Sequence, residues 1–127
     1  MRKIYLISIG LFLINSCVFI RTDDSIDLGD KYRYIQDYPQ AIMYHKSDEY
    51  DGLGIYIVPP VVIDYKFNEY YIIAKSQEEP KYVSNQEITT EIFYWIIDKK
   101  EKGASVRSLD SISFYRKLKE LNIELKF

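Results

Sequence analysis

The sequence predicts an α+β fold, in which an antiparallel sheet of six or seven strands carries one C-terminal helix. Short runs of β-branched and aromatic residues recur between residues 32 and 98, and turn-forming residues separate them. Apolar residues with helical spacing follow between residues 114 and 125. This order of elements, strands first and a helix after them, is typical of an α+β domain.

Length and composition agree with one globular domain. The chain has 127 residues, of which 47% are hydrophobic and 28% charged, so it is neither a disordered tail nor a low-complexity linker. The formal net charge of -2 gives no basic footprint for nucleic acid. One cysteine and one histidine exclude a disulfide framework and a cysteine-rich zinc site. We therefore expect no cofactor and no metal.

The first residues are typical of an export signal. Arg2 and Lys3 are basic, and residues 4–14 form an uncharged apolar run. A signal peptide combines such a basic start with roughly 7–15 apolar residues, whereas a membrane span needs about 20. An uncleaved signal anchor is the alternative. The pattern favours a secreted chain.

The residues after the apolar run resemble the lipobox of bacterial lipoproteins. Ile14 stands three places before Cys17, and the small Ser16 directly precedes it. The resemblance implies a signal peptide at 1–16, a lipid on Cys17, a tether at 17–25 and one domain at 26–127. It also implies a body on the periplasmic or extracellular side. Val18 follows the cysteine, which favours the outer membrane in a host with two membranes.

Alternating and continuous apolar runs predict the strands. In residues 61–67, Val61, Ile63, Tyr65 and Phe67 share one face. Residues 91–98 are apolar on both faces, which predicts the central strand, and a turn at 99–103 leads into a return strand. The predicted strands are 32–35, 41–45, 54–58, 61–67, 70–75, 91–98 and 104–108.

The helix is predicted from Asp110 as N-cap to a stop at Asn122. Its apolar residues recur at intervals of three and four, which places them on one face. We expect one face of the sheet to pack on this helix. The predicted core is Phe93, Trp95, Ile97, Phe114, Leu118 and Leu121.

Three segments resemble an uncharacterised family of small bacterial lipoproteins. They are the run 94–100 with the Phe-x3-Leu-x2-Leu helix after it, the tyrosine-rich run 30–34, and the Tyr-Ile-Ile-Ala-Lys run 71–75. The similarity spans Asp27 to Ile123. Residues 105–107 replace the aromatic-Gly-Pro turn found in many members. The resemblance implies a tyrosine-rich sheet with a C-terminal helix, and it assigns no catalytic residue.

Two hypotheses for function remain open. The first is a non-catalytic, membrane-tethered binding or accessory module that binds another envelope protein or shields the cell from a toxin. The second is a small hydrolase that uses His45 as a base beside Asp48, Glu49 and Asp51. The chain lacks the sequence motifs of phosphate-binding loops, zinc proteases and serine hydrolases. We therefore favour the binding module, expect His45 to be a solvated residue at a loop edge, and assign a role to Cys17 alone.

A surplus of tyrosine permits a further interpretation. Thirteen tyrosines contribute to an aromatic content of 16%. Tyrosine stacks on sugars and peptides while its hydroxyl forms hydrogen bonds, so the residues suit a ligand platform. We favour the simpler interpretation that a sheet selects aromatic side chains for their strand propensity.

Overall fold

The computed structural model describes residues 25–79 and 90–127. The predicted signal peptide at 1–16 and Cys17 lie outside these residues, as does the tether except for Ser25. The described elements are β1 (Ser25–Gly29), β2 (Tyr32–Ile35), β3 (Ala41–Tyr44), β4 (Ile55–Val58), β5 (Val62–Phe67), β6 (Tyr71–Ser76), β7 (Phe93–Asp98), a 3₁₀ turn (Lys99–Glu101) and α1 (Ser111–Glu120).

The predicted α+β fold is confirmed, and its seven described strands form two antiparallel sheets. The first sheet has the order β1-β2-β3-β4, and the second has the order β5-β6-β7. β1 had not been predicted, although its partner β2 had. The β1–β2 hairpin closes through Asp30 and Lys31, whose φ angles are 50° and 70°. Two central residues with positive φ are typical of a type I′ turn, which fits the twist of paired strands.

The main core lies between the two sheets. One face of each sheet contributes buried side chains, and Trp95 on β7 donates a hydrogen bond of 2.8 Å from Nε1 to Ser76 Oγ on β6. This bond satisfies the polar atom of a large buried side chain. The buried cluster is Leu28, Tyr32, Ile42, Tyr44, Ile57, Val58, Val62, Ile72, Ala74, Trp95 and Ile97.

A second core lies between α1 and the opposite face of the β5-β6-β7 sheet. It consists of Ile73, Ile96, Phe114, Leu118 and Ile123. Phe93, Trp95 and Ile97 do belong to a core, as predicted. They belong to the core between the sheets and not to the one under the helix, because these residues alternate toward the first sheet. Leu121 was also wrongly placed in the core, since it is the C-cap of α1 and is 39% exposed.

β7 is an edge strand, so the prediction that it is central was wrong. It pairs with β6 alone in its sheet, and only an isolated bridge joins Tyr94 to Leu109 on its other side. Residues 104–108 form no strand in the structure. β7 is apolar on both faces because one face packs on the β1-β2-β3-β4 sheet and the other packs on α1. Burial on two faces thus reflects layers above and below the strand, not neighbours on both edges.

A bulge in β5 changes the face to which its residues point. The register with β6 shifts between Val62 and Asp64, so Ile63 has no partner residue on β6, and its side chain is exposed. Val62 and Tyr65 consequently contact the same core, although three positions separate them. The expected common face of Val61, Ile63, Tyr65 and Phe67 is therefore not formed.

Both ends of α1 form as the sequence predicts. The Asp110 carboxylate accepts a hydrogen bond of 2.7 Å from Ser113 N, which lowers the pKa of Asp110. After the helix, Asn122 has φ 53°, Asn122 N donates to Lys119 O, and Ile123 N donates to Leu118 O. These two bonds are those of a Schellman motif. The motif turns residues 121–127 back along the helix, and Ile123 packs in the same core as Leu118.

Candidate functional site

His45 is buried, so the expectation of a solvated histidine was wrong. Its residue is 6% exposed, and Nδ1 lies 2.8 Å from the carbonyl oxygen of Ser47. A carbonyl oxygen only accepts hydrogen bonds, so Nδ1 carries a proton and donates it. The ring also meets Tyr50 edge to face, with 5.4 Å between ring centres. Through these two contacts the imidazole holds the loop that follows β3 in place.

The carboxylates after His45 do not contact its ring in the described structure. Asp48 is exposed and pairs with Lys31 at 3.1 Å. Asp51 accepts a hydrogen bond of 2.9 Å from Leu53 N, which closes a turn within the loop. No described group of three His, Cys, Asp or Glu side chains is arranged to hold a metal ion. The predicted residues share a loop, but the part of the chain that is described contains no His45–carboxylate pair for acid–base chemistry.

The tyrosines do not share one environment. Tyr32 and Tyr44 are buried with their ring centres 5.0 Å apart, and the Tyr32 hydroxyl accepts a hydrogen bond of 2.8 Å from Gly103 N. Burial raises the pKa of Tyr32. Exposed tyrosines lie on separate parts of the fold, which are the β2–β3 loop, β4, the turn before β6, and α1 (Tyr38, Tyr56, Tyr70 and Tyr115).

A cavity of about 700 Å³ lies between α1 and the segment 121–127. We call it the helix cavity. Its apolar walls include residues of the second core, and the rings of Phe114 and Phe127 stack with centres 5.8 Å apart. Ligand cavities are commonly about 300–1,000 Å³ with apolar walls and few polar groups. The lining residues are Ile73, Phe114, Tyr115, Leu118, Lys119, Asn122, Ile123, Glu124, Leu125, Lys126 and Phe127.

The charged side chains that line the helix cavity are those of two lysines and one glutamate, namely Lys119, Lys126 and Glu124. A third lysine, Lys75 on β6, holds its Nζ 4.5 Å from the centre of the Phe127 ring. The cavity therefore presents an apolar wall beside ammonium groups, an arrangement that suits an apolar group with a neighbouring negative charge.

A buried lysine joins the two sheets. Lys99 is 5% exposed, and its Nζ donates to Leu28 O at the end of β1 and, at 2.6 Å, to Asn68 O between β5 and β6. Burial lowers the pKa of Lys99, while Asp30, Asp27 and Glu69 oppose this shift.

Lys99 was not predicted as a functional residue, because it lies in a charged run interpreted as a turn. A signal was present. Lys99 continues the alternation of Phe93, Trp95 and Ile97, which all point between the sheets.

A family model described as "Protein of unknown function (DUF3997)" matches residues 29–127. This range contains every described strand from β2 onward, α1, His45, Lys99 and the helix cavity. No curated protein and no solved structure matches the chain significantly. The description of the family names no activity, so the residues themselves must carry any proposal about function.

Proposed function

The chain belongs to the DUF3997 family, and we propose that it is a membrane-anchored bacterial lipoprotein whose folded domain is a non-catalytic binding module of the cell envelope. Lipid on Cys17 holds the module at the membrane, and its body lies on the periplasmic or extracellular side. In a host with two membranes, the outer membrane is the expected location. The helix cavity is the observation that carries the binding role.

The proposal of a lipid anchor rests on residues 1–17. The basic start, the apolar run 4–14 and the Ile14-Asn15-Ser16-Cys17 sequence support export followed by lipid attachment. In the described part of the chain, no helix is long and apolar enough to span a membrane. One acyl chain binds a bilayer weakly and reversibly, so a stable anchor needs the two or three chains of a lipoprotein.

The binding role depends on the walls and the charges of the helix cavity. The partner that fits is another envelope protein that presents an apolar side chain beside acidic residues. The apolar side chain enters between α1 and Phe127, and the acidic residues meet Lys119 and Lys126. Tethering both proteins to one surface raises their local concentration, so a weak contact suffices.

Replacing the lipidated residue tests the anchor. Cys17→Ser prevents lipid attachment, and we expect the variant to leave the membrane fraction while the native chain stays in it. Fractionation with antibody detection measures this, and metabolic labelling with a fatty acid analogue checks that lipid is lost. A variant that stays wholly in the membrane fraction contradicts the anchor.

Reversing the charges beside the cavity tests the binding role. We expect the double variant Lys119→Glu/Lys126→Glu to capture less of the envelope protein that crosslinks to the native chain. That envelope protein must also bind the purified domain directly. Lys66→Glu is the matched control, because Lys66 is an exposed lysine on β5 that does not line the cavity. Equal capture by both variants contradicts the proposed surface. A His45→Ala variant that folds normally but loses the cellular function of the protein, as a deletion does, would support catalysis instead.

A further inference from the structure

A second cavity, of about 370 Å³, lies where the β1–β2 turn, the end of β3 and the 3₁₀ turn meet. We call it the lysine cavity. Four of its six lining residues are lysines and one is an aspartate, although the whole chain has a net charge of -2. Basic side chains are thus concentrated around one small space. The lining residues are Asp30, Lys31, Tyr44, Lys99, Lys100 and Lys102.

The walls of the lysine cavity are held in place from both sheets. Lys99 is fixed by the carbonyl oxygens of Leu28 and Asn68, one from each sheet. The Tyr44 ring packs so closely on Gly103 that an added Cβ would lie 2.3 Å from Tyr44 Cδ1. These contacts hold the Lys99 and Tyr44 walls of the cavity in place before any ligand binds.

Two of the lysines occupy backbone positions that favour glycine. Lys31 has φ 70° and Lys102 has φ 47°, and both line the lysine cavity. In this left-handed region a Cβ crowds the following carbonyl oxygen, so a lysine there is less favourable for folding than a glycine. Residues in such conformations occur in turns and caps, and they are also concentrated at active sites and ligand clamps.

Carboxylates near the cavity offset part of its positive charge, since Asp27, Asp30 and Glu69 all interact with Lys99. Asp48 pairs with Lys31, and Asp30 lies in the lining itself. Asp98 uses a carboxylate oxygen to accept a hydrogen bond from Lys100 N, which is a backbone group. In the described part of the chain, Lys100 and Lys102 form no ion pair with a carboxylate, so an anion with more than one charge complements these two lysines.

We propose that the lysine cavity binds a small multivalent oxyanion, namely a phosphate or diphosphate group, through Lys31, Lys100 and Lys102. The bound group is either a free phosphate compound or the headgroup of a lipid. This site is separate from the helix cavity, and it requires neither the lipid anchor nor the protein partner. Its test can therefore succeed or fail independently of the proposed function.

Calorimetric titration of the Cys17→Ser chain with inorganic diphosphate at low salt tests the site. We expect saturable binding of one diphosphate per chain, about tenfold weaker in Lys102→Gly because one charge-assisted hydrogen bond is lost. Because Gly suits φ 47°, the unfolding midpoint of Lys102→Gly should not fall. Weaker binding without lower stability is a result that a structural role alone does not produce.

One variant controls the experiment. Lys66→Ala removes an exposed lysine on β5 that lines neither cavity. It should bind diphosphate as the native chain does. Sedimentation with vesicles of anionic phospholipid identifies a headgroup as the source if the chain binds them and Lys102→Gly does not. The proposal is overturned if the native chain binds neither probe, or if Lys102→Gly and Lys66→Ala bind with equal affinity.

Discussion

Leu118→Ala is the substitution that best tests how α1 is packed. Leu118 is 8% exposed and contacts the second core, and it also lines the helix cavity. Leu121, one turn later in the same predicted stripe, is 39% exposed. Leu118 is thus buried and Leu121 is exposed, although only three positions separate them. The structure therefore predicts unequal losses of stability when each is replaced by alanine, whereas the sequence pattern predicts equal losses.

The magnitude for Leu118→Ala follows from burial and from the adjoining space. The substitution removes three carbon atoms, and about 0.8 kcal/mol per buried methylene gives roughly 2.4 kcal/mol. Large-to-small substitutions in closed cores cost about 2–5 kcal/mol, because a new void adds to the transfer free energy. Here the vacated space joins the helix cavity, so we expect about 2–3 kcal/mol. For Leu121→Ala we expect about 1 kcal/mol or less, since only part of the side chain is buried.

Urea unfolding of the Cys17→Ser chain measures both free energies. The emission of Trp95, the one tryptophan of the sequence, reports on the core between the sheets. Ile112→Ala is the reference, because Ile112 lies on the exposed face of α1. A loss of stability for Leu118→Ala within 0.5 kcal/mol of that reference, or below the loss for Leu121→Ala, would refute this packing.

Two further predictions concern buried polar groups. Ser76→Ala leaves Trp95 Nε1 without its acceptor and should lower the free energy of unfolding by about 1–3 kcal/mol. The control Ser108→Ala, at an exposed serine, should leave the free energy of unfolding nearly unchanged. Equal losses of stability in the two variants would contradict a buried hydrogen bond. For Tyr32 the folded state raises the pKa above 10.0, so its contribution to stability is complete below the unfolded pKa and decreases as pH rises through the folded pKa. Urea midpoints above pH 10 should fall less steeply for Tyr32→Phe, and parallel slopes would argue against a buried phenol.

The sequence located strands well where local signals were strong. Six of the seven described strands fall within or beside predicted ranges, because β-branched and aromatic runs end at turn residues. β1 was missed because its residues, Ser-Ile-Asp-Leu-Gly, follow a polar segment and carry little strand propensity. Tertiary pairing with β2 makes this segment a strand.

The candidate sites were less predictable than the strands. The loop after His45 was correctly singled out as polar, but its carboxylates bond to Lys31 and to backbone instead of the imidazole. The helix cavity depends on the path of residues 121–127 after the Schellman turn, and the lysine cavity joins two turns and the end of β3, which are distant in sequence. Contacts between residues so far apart leave no mark in a local pattern.

The sequence by itself determined the α+β class, the positions of β2 to β7 and of α1, and the capping of α1 by Asp110 and Asn122, because propensity and capping act within a few residues. The tertiary structure decided which face of β7 meets the helix, the division of the strands into two sheets, and the burial of His45 and Lys99. Alternation assigns residues to two faces, but it does not say which layer covers each face. That choice depends on the packing of whole elements, and the positions of both cavities depend on it.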